Sequence, residues 1–176
     1  MPRIIGFSLI TVLLAAGGVA KADAFELYLQ GHGGYSGDGS SPGTSVGGEV
    51  GARLAAFVGS VGVEDYLDRG TVTRVIIGFG GDVDLGGWRL MGRVGAGLMV
   101  ETGGVFAGDN QATSGRTGVV GRAGLALDRP IAAGLYVGLA IDAETFALKP
   151  QDGVDTGVHT GGDIMGSLHL GFAMGG

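Results

Sequence analysis

Residues 88–101 read WRLMGRVGAGLMVE, and taken two at a time they separate into two chemistries. Trp88, Leu90, Gly92, Val94, Ala96, Leu98 and Val100 are all apolar or small. Arg89, Met91, Arg93, Gly95, Gly97, Met99 and Glu101 interleave with them, and every charge lies in this second set. Successive side chains of a strand point to opposite faces, so the spacing predicts one strand of fourteen residues with an apolar side and an ionic side. Strands of soluble sheets usually run to about 5–6 residues. A tilted strand crosses a bilayer with about 9–11.

The same unit recurs on both sides of this stretch. Residues 25–35 set Phe25, Leu27 and Leu29 against Glu26, Tyr28, Gln30 and His32. From residue 46 onward Val50, Ala52 and Leu54 oppose Glu49, Gly51 and Arg53, and Gly59-Ser60 marks a turn over residues 57–60. Residues 61–67 form a short strand with Glu64 and Tyr66 on its polar side. Residues 73–85 place Val75, Ile77, Phe79 and Val83 opposite Arg74, Gly78, Gly80 and Asp82. Gly86-Gly87 is a tight turn. Residues 117–127, closed by a turn at Asp128-Arg129-Pro130, set Val119, Ala123, Leu125 and Leu127 against Arg122. Residues 135–145 set Leu135, Val137, Leu139 and Ile141 against Tyr136, Asp142 and Glu144. Residues 158–174 set Ile164, Leu168, Leu170 and Phe172 against His159, Asp163 and His169.

These spans predict an all-β fold: an eight-stranded antiparallel up-and-down transmembrane barrel. The connections alternate, short after the second, fourth and sixth strands and longer after the others, with loops at 36–45, 102–116 and 149–157. Short inner turns and long outer loops are the outer-membrane pattern. With Asp128 counted as the last residue of its strand, fifteen of the sixteen Asp, Glu and Arg residues in these spans share the face opposite the Leu/Val/Ile set, and Asp65 alone departs. Lipid enforces such segregation, because a basic side chain at the bilayer midplane costs about 2–4 kcal/mol.

The polar face then becomes a lumen. Rim positions aside, Glu49, Glu64, Asp142 and Asp163 stand against Arg53, Arg74, Arg93 and Arg122. Four against four predicts a mutually paired ionic network that fills the barrel, since eight strands leave room for little else. A small water-filled pore is the alternative. Glycines on the same face (Gly51, Gly78, Gly80, Gly95, Gly97, Gly124, Gly138) make space for arginine side chains. With odd strands rising from the periplasm, Phe25, Phe57, Trp88, Tyr136 and Phe172 fall at the inner rim, and Tyr35, Tyr66 and Phe146 at the outer. Both sets are expected to form aromatic girdles.

The first residues read as an export signal. Arg3 precedes an apolar run from Ile4 to Val19, and Ala22-Asp23-Ala24 fits a small-x-small cleavage site, with Ala20-Lys21-Ala22 as a second. Residues 1–24 are therefore expected to be removed as a secretory signal peptide, leaving the barrel at 25–176. The sequence has no cysteine, which excludes a disulfide framework and a thiolate metal site. A net charge of −6 argues against general nucleic-acid binding, which needs clustered Lys and Arg.

One grouping on the lumen face has the chemistry of a site. His32, His159 and Glu144 all fall near the outer end by parity, and the first and last strands must meet to close the barrel. Two imidazoles and a carboxylate bind a divalent metal or exchange protons where they converge. The alternative is three hydrated rim residues. No H-E-x-x-H or P-loop pattern occurs, and no catalytic residue, metal or cofactor is assigned.

The alternating strands, the signal segment and the rim aromatics resemble the small OmpA/OmpX-like outer-membrane barrels of Gram-negative bacteria. That family includes adhesins, envelope-stabilising barrels and lipid A-modifying enzymes. The resemblance implies outer-membrane location, contact with outer-membrane lipid, and dependence on periplasmic chaperones and the barrel-assembly machinery. Membership of so varied a family does not fix function; the first expectation is a non-enzymatic structural or surface-interaction role, with loops 36–45 and 102–116 as the contact surface. An enzyme acting on lipid or peptide at the rim, or a small pore, is the alternative within the same resemblance. Family members usually end in an aromatic residue, whereas here Phe172 stands four residues before the end of the sequence.

Overall fold

A computed structural model describes residues 25–37, 43–67, 69–103, 105, 115–151 and 157–174. The expected signal segment, 1–24, lies outside the described residues. Eight strands follow one another: β1 Phe25–Gly37, β2 Gly43–Leu54, β3 Phe57–Tyr66, β4 Gly70–Asp84, β5 Arg89–Thr102, β6 Arg116–Ala132, β7 Leu135–Pro150 and β8 His159–Met174. Each pairs antiparallel with the next, and β8 returns to β1 from Leu27↔Met174 to Gly37↔Ile164. The sheet is closed and has no free edge, which is the condition for placing strands in hydrocarbon.

Burial alternates with the sequence parity. Outward-pointing Leu29, Ile77, Leu98 and Leu168 are 61 to 72% exposed, while Glu64, Asp128 and Asp142 are at most 2% exposed. A soluble protein shows the reverse distribution and rarely bares an apolar patch beyond a few hundred Å². The outside is therefore matched to lipid and the inside to ions. This is a transmembrane barrel.

The connections at the end carrying Phe25, here the turn end, are tight. Gly86 and Gly87 both take positive φ (72° and 93°), the geometry of a two-residue hairpin whose twist matches its strands. Asp84 Oδ1 accepts from both of their N–H groups, at 2.8 and 3.2 Å. The turn expected over 57–60 sits instead at Ala55-Ala56, with Leu54 paired to Phe57 and Ala55 at φ 52°. Gly59 and Ser60 are strand residues of β3. Asp128-Arg129-Pro130 is not a turn either: β6 runs on to Ala132, and Pro130 is accommodated beside a register shift at the barrel rim.

These extensions move some expectations. Loop 36–45 is narrower than expected, because Ser36, Gly37, Gly43, Thr44 and Ser45 are strand residues; 38–42 lie outside the described residues. Of loop 102–116, the ends belong to strands, and Val105 is buried beneath the loop-end mouth. Longer strands also bring Arg129 and Lys149 onto the outward face, one at each rim. Charge segregation is thus relaxed at the rims, where the cost of exposing a basic residue to lipid falls to about 0–1 kcal/mol.

The aromatic girdle is partly corrected. Phe25, Phe57, Trp88 and Phe172 do face outward at the turn end, and Tyr35 does at the loop end. Tyr136, Tyr66 and Phe146 point into the lumen and are buried, because each shares the parity of the neighbouring acids on its strand. Nor is the lumen polar throughout. Tyr66, Val72, Ile76, Met99, Val105, Val120, Phe146 and Leu148 form an apolar cluster inside its loop-end half.

Candidate functional site

The lumen is where this chain concentrates its chemistry, and its ion pairs form three tiers. In the middle tier, Arg93 Nη1 and Arg122 Nη1 donate to opposite oxygens of Glu49, each at 2.9 Å. Both guanidinium groups also reach Asp142, Arg93 at 3.1 Å and Arg122 at 2.9 Å. Glu49 is on β2, Arg93 on β5, Arg122 on β6 and Asp142 on β7, so the four-membered ring spans the barrel. Tyr28 donates its hydroxyl to Glu49 at 3.0 Å. Charge-assisted, forked contacts of this kind are what arginine makes and lysine does not.

The turn-end tier centres on Glu26. Arg53 approaches it at 3.0 Å and also pairs with Asp82; Arg89 approaches it at 3.2 Å and reaches Asp128 at 3.3 Å. Asp128 in turn meets His169 Nε2 at 2.7 Å. The Arg89 guanidinium lies 5.5 Å from the centre of the Tyr136 ring, and the Tyr136 hydroxyl donates to Gln30 at 3.4 Å. The loop-end tier centres on Arg74, which donates to Glu64 at 2.8 Å and Glu144 at 2.9 Å. Ser45 donates to Glu64 and Ser36 to Asp163, each at 2.5 Å. Arg122 Nε, 3.6 Å from Glu144, links this tier to the middle one.

The expected four-against-four set therefore divides. Glu49, Arg93, Arg122 and Asp142 come together, as do Glu64 and Arg74. Arg53 belongs to the turn end, and Asp163 meets the Ser36 and Tyr66 hydroxyls rather than a guanidinium. Glu26, Asp82, Arg89 and Asp128 carry a whole tier that the sequence reading set aside as rim. Their signal was present, since all four share the lumen parity. Two cavities of about 20 Å³ are lined by these arginines, each with room for about one water.

Large lumen side chains are seated over glycines of the neighbouring strand. Tyr28 is in register with Gly51, Tyr136 with Gly171, Phe146 with Gly161 and His169 with Gly138. At each of these glycines an added Cβ would run into the facing side chain. At these four positions glycine is a notch for a tyrosine, phenylalanine or histidine rather than for an arginine, whereas Gly78 and Gly97 lie closest to neighbouring backbone.

The His32, His159 and Glu144 grouping does not assemble. Across the β1–β8 seam His32 is in register with His169, not His159. β1 ends at Gly37 opposite Ile164, and His159 lies five residues further along β8, opposite Leu148 of β7. Ten residues separate His159 from His169, about 33 Å of strand at roughly 3.3 Å per residue. The stagger needed to close a tilted barrel displaces the seam, which parity alone does not reveal. Glu144 is engaged by Arg74 and Arg122, while His32 lies 3.8 Å from Glu64, beyond hydrogen-bond range. Among the described residues no group of three His, Cys, Asp or Glu side chains is placed to hold a metal.

No protein-family model matches the sequence, and no curated protein does. Solved structures do match in shape. Neisserial surface protein A superposes with a TM-score of 0.55 at 10% identity, over 85% of this chain and 96% of that one. The N-terminal β-barrel domain of Pseudomonas aeruginosa OprF gives 0.53 at 16% identity, over 85% and 97%. The fold is that of the eight-stranded outer-membrane barrels. At these identities the likeness concerns architecture, and function has to be argued from the residues of this chain.

Proposed function

We propose that this protein is a non-enzymatic outer-membrane barrel, exported by its first 24 residues, with a structural or surface-interaction role. The observation that carries this reading is the Glu49–Arg93–Asp142–Arg122 ring drawn across the lumen. A barrel whose interior is occupied by mutually paired side chains supports a closed cylinder with its variable chemistry outside. The turn end faces the periplasm, and the segments joining β1 to β2 and β5 to β6 form the surface offered to partners. Membrane lipid surrounds the cylinder, and its insertion draws on periplasmic chaperones and the barrel-assembly machinery.

Two measurements on the full chain test this. Expressed in a Gram-negative host, the protein is expected in the outer-membrane fraction as a band whose gel migration changes on boiling. Reconstituted in planar bilayers, it is expected to leave the baseline current unchanged. Discrete conductance steps from the purified barrel would replace the closed-cylinder reading with a pore.

A further inference from the structure

We propose that Arg129 and Trp88 form a binding site for the phosphate of an anionic phospholipid headgroup, in the leaflet that meets the turn end of the barrel. This rests on the membrane reading above. Arg89 and Asp128 are in register across β5 and β6 and point into the lumen, so their neighbours Trp88 and Arg129 point outward side by side. The Arg129 guanidinium lies 5.4 Å from the centre of the Trp88 ring. Cation–π attraction to the indole face holds the guanidinium beside Trp88 without using its N–H donors.

Among the described residues those donors have no carboxylate to meet. Leu90 on β5, Leu127 and Ile131 on β6, and Leu135 and Val137 on β7 surround the pair on the outward face. The nearest carboxylates are committed elsewhere. Asp128 binds Arg89 and His169 inside the lumen, and Asp84 accepts the N–H groups of Gly86 and Gly87. Among the described residues no carboxylate is within ion-pair distance of Arg129. The lumen arginines Arg74, Arg89, Arg93 and Arg122 are each matched to acids. Among the described residues no acid pairs with Arg129, which lies at the turn end together with the outward aromatics Phe25, Phe57 and Phe172. That is the depth of the headgroups, where aromatic rings gather. A phosphodiester offers two oxygens to the guanidinium fork, and the leucines and valines beneath accommodate acyl chain. A headgroup lacking its own ammonium, such as phosphatidylglycerol, is favoured, because an internal cation competes with Arg129 for the phosphate.

Trp88 is the sole tryptophan of the sequence, so its fluorescence reads this site without background. The full chain is reconstituted in phosphatidylcholine vesicles containing a fixed fraction of lipid brominated on the acyl chain, as either phosphatidylglycerol or phosphatidylcholine. Brominated phosphatidylglycerol is expected to quench Trp88 with an apparent affinity about fivefold above that of brominated phosphatidylcholine. Arg129→Gln is expected to abolish the preference, and Arg129→Lys to retain part of it, with folding of each checked by heat-modifiable migration. Equal quenching by the two lipids in the unaltered protein, or a preference that survives in Arg129→Gln, overturns the site and leaves the membrane reading intact. Loss of the preference on adding millimolar inorganic phosphate reassigns the site to a free anion and overturns the lipid proposal. Quenching by neither lipid contradicts the membrane reading itself.

Discussion

Arg93 and Arg122 share Glu49, one guanidinium on each carboxylate oxygen, and share Asp142 on the opposite wall. Two cations and two anions from four strands thus close a ring in the middle of the cylinder. Strands that are far apart in sequence are tied through charges that each strand alone could not afford to bury.

Removing one member leaves its partners buried and unmatched. Asp142→Asn is expected to lower the unfolding free energy of the reconstituted barrel by about 3–5 kcal/mol, read from urea titration in lipid vesicles. Replacing an anion and a cation together, as in Glu49→Gln with Arg93→Met, is expected to cost less than the two single changes added. A simple sum would show that the ring is not a coupled unit.

The glycine notches make a second, positional prediction. Gly51→Ala and Gly171→Ala put a methyl group into the Tyr28 and Tyr136 rings and are expected to cost about 1–3 kcal/mol. Gly166→Ala, on the outward face of β8 with nothing within 4 Å of the added atom, is expected to be neutral or stabilising. Equal effects at the three sites in the same urea titration would remove the notch explanation.

Val105 follows β5 yet is 4% exposed, packed in the apolar cluster that occupies the loop-end half of the lumen. Truncation there is expected to behave as a core substitution. Val105→Ala is predicted to cost about 1–3 kcal/mol, whereas Leu67→Ala, in the exposed β3–β4 turn, is predicted to cost almost nothing. Thermal unfolding of the two variants side by side distinguishes a buried Val105 from an ordinary exposed position.

What the sequence made legible was whatever depends on parity. The alternation of residues 88–101 and its repeats identified the strands, the ionic lumen and the apolar exterior, because a strand's two faces are written residue by residue. Stagger is not written that way. His32 and His159 looked adjacent because both lie near strand ends on the lumen face, yet the seam pairs His32 with His169. Turns were legible where glycine supplies the positive φ, at Gly86-Gly87, and illegible at Ala55, which adopts φ 52° without any residue-type signal. Tyr136 was read by its height in the barrel when its parity placed it inside, against Arg89. The lumen-facing Val72, Ile76, Val120 and Leu148 were illegible as a cluster because an ionic face was expected to be ionic along its whole length.

Collision accessibility of spin labels along β5 and β7 probes directly whether hydrocarbon surrounds this cylinder. The chain has no cysteine, so single cysteines at the outward positions Val94, Ala96, Leu98, Leu139 and Ile141 can be labelled without background. In reconstituted vesicles, oxygen collisions are predicted to exceed those of a water-soluble nickel chelate at all five sites. The excess is predicted to peak at mid-strand and decline toward both rims. Nickel collisions dominating at these positions would place them in water and contradict the assignment of the outer face to lipid.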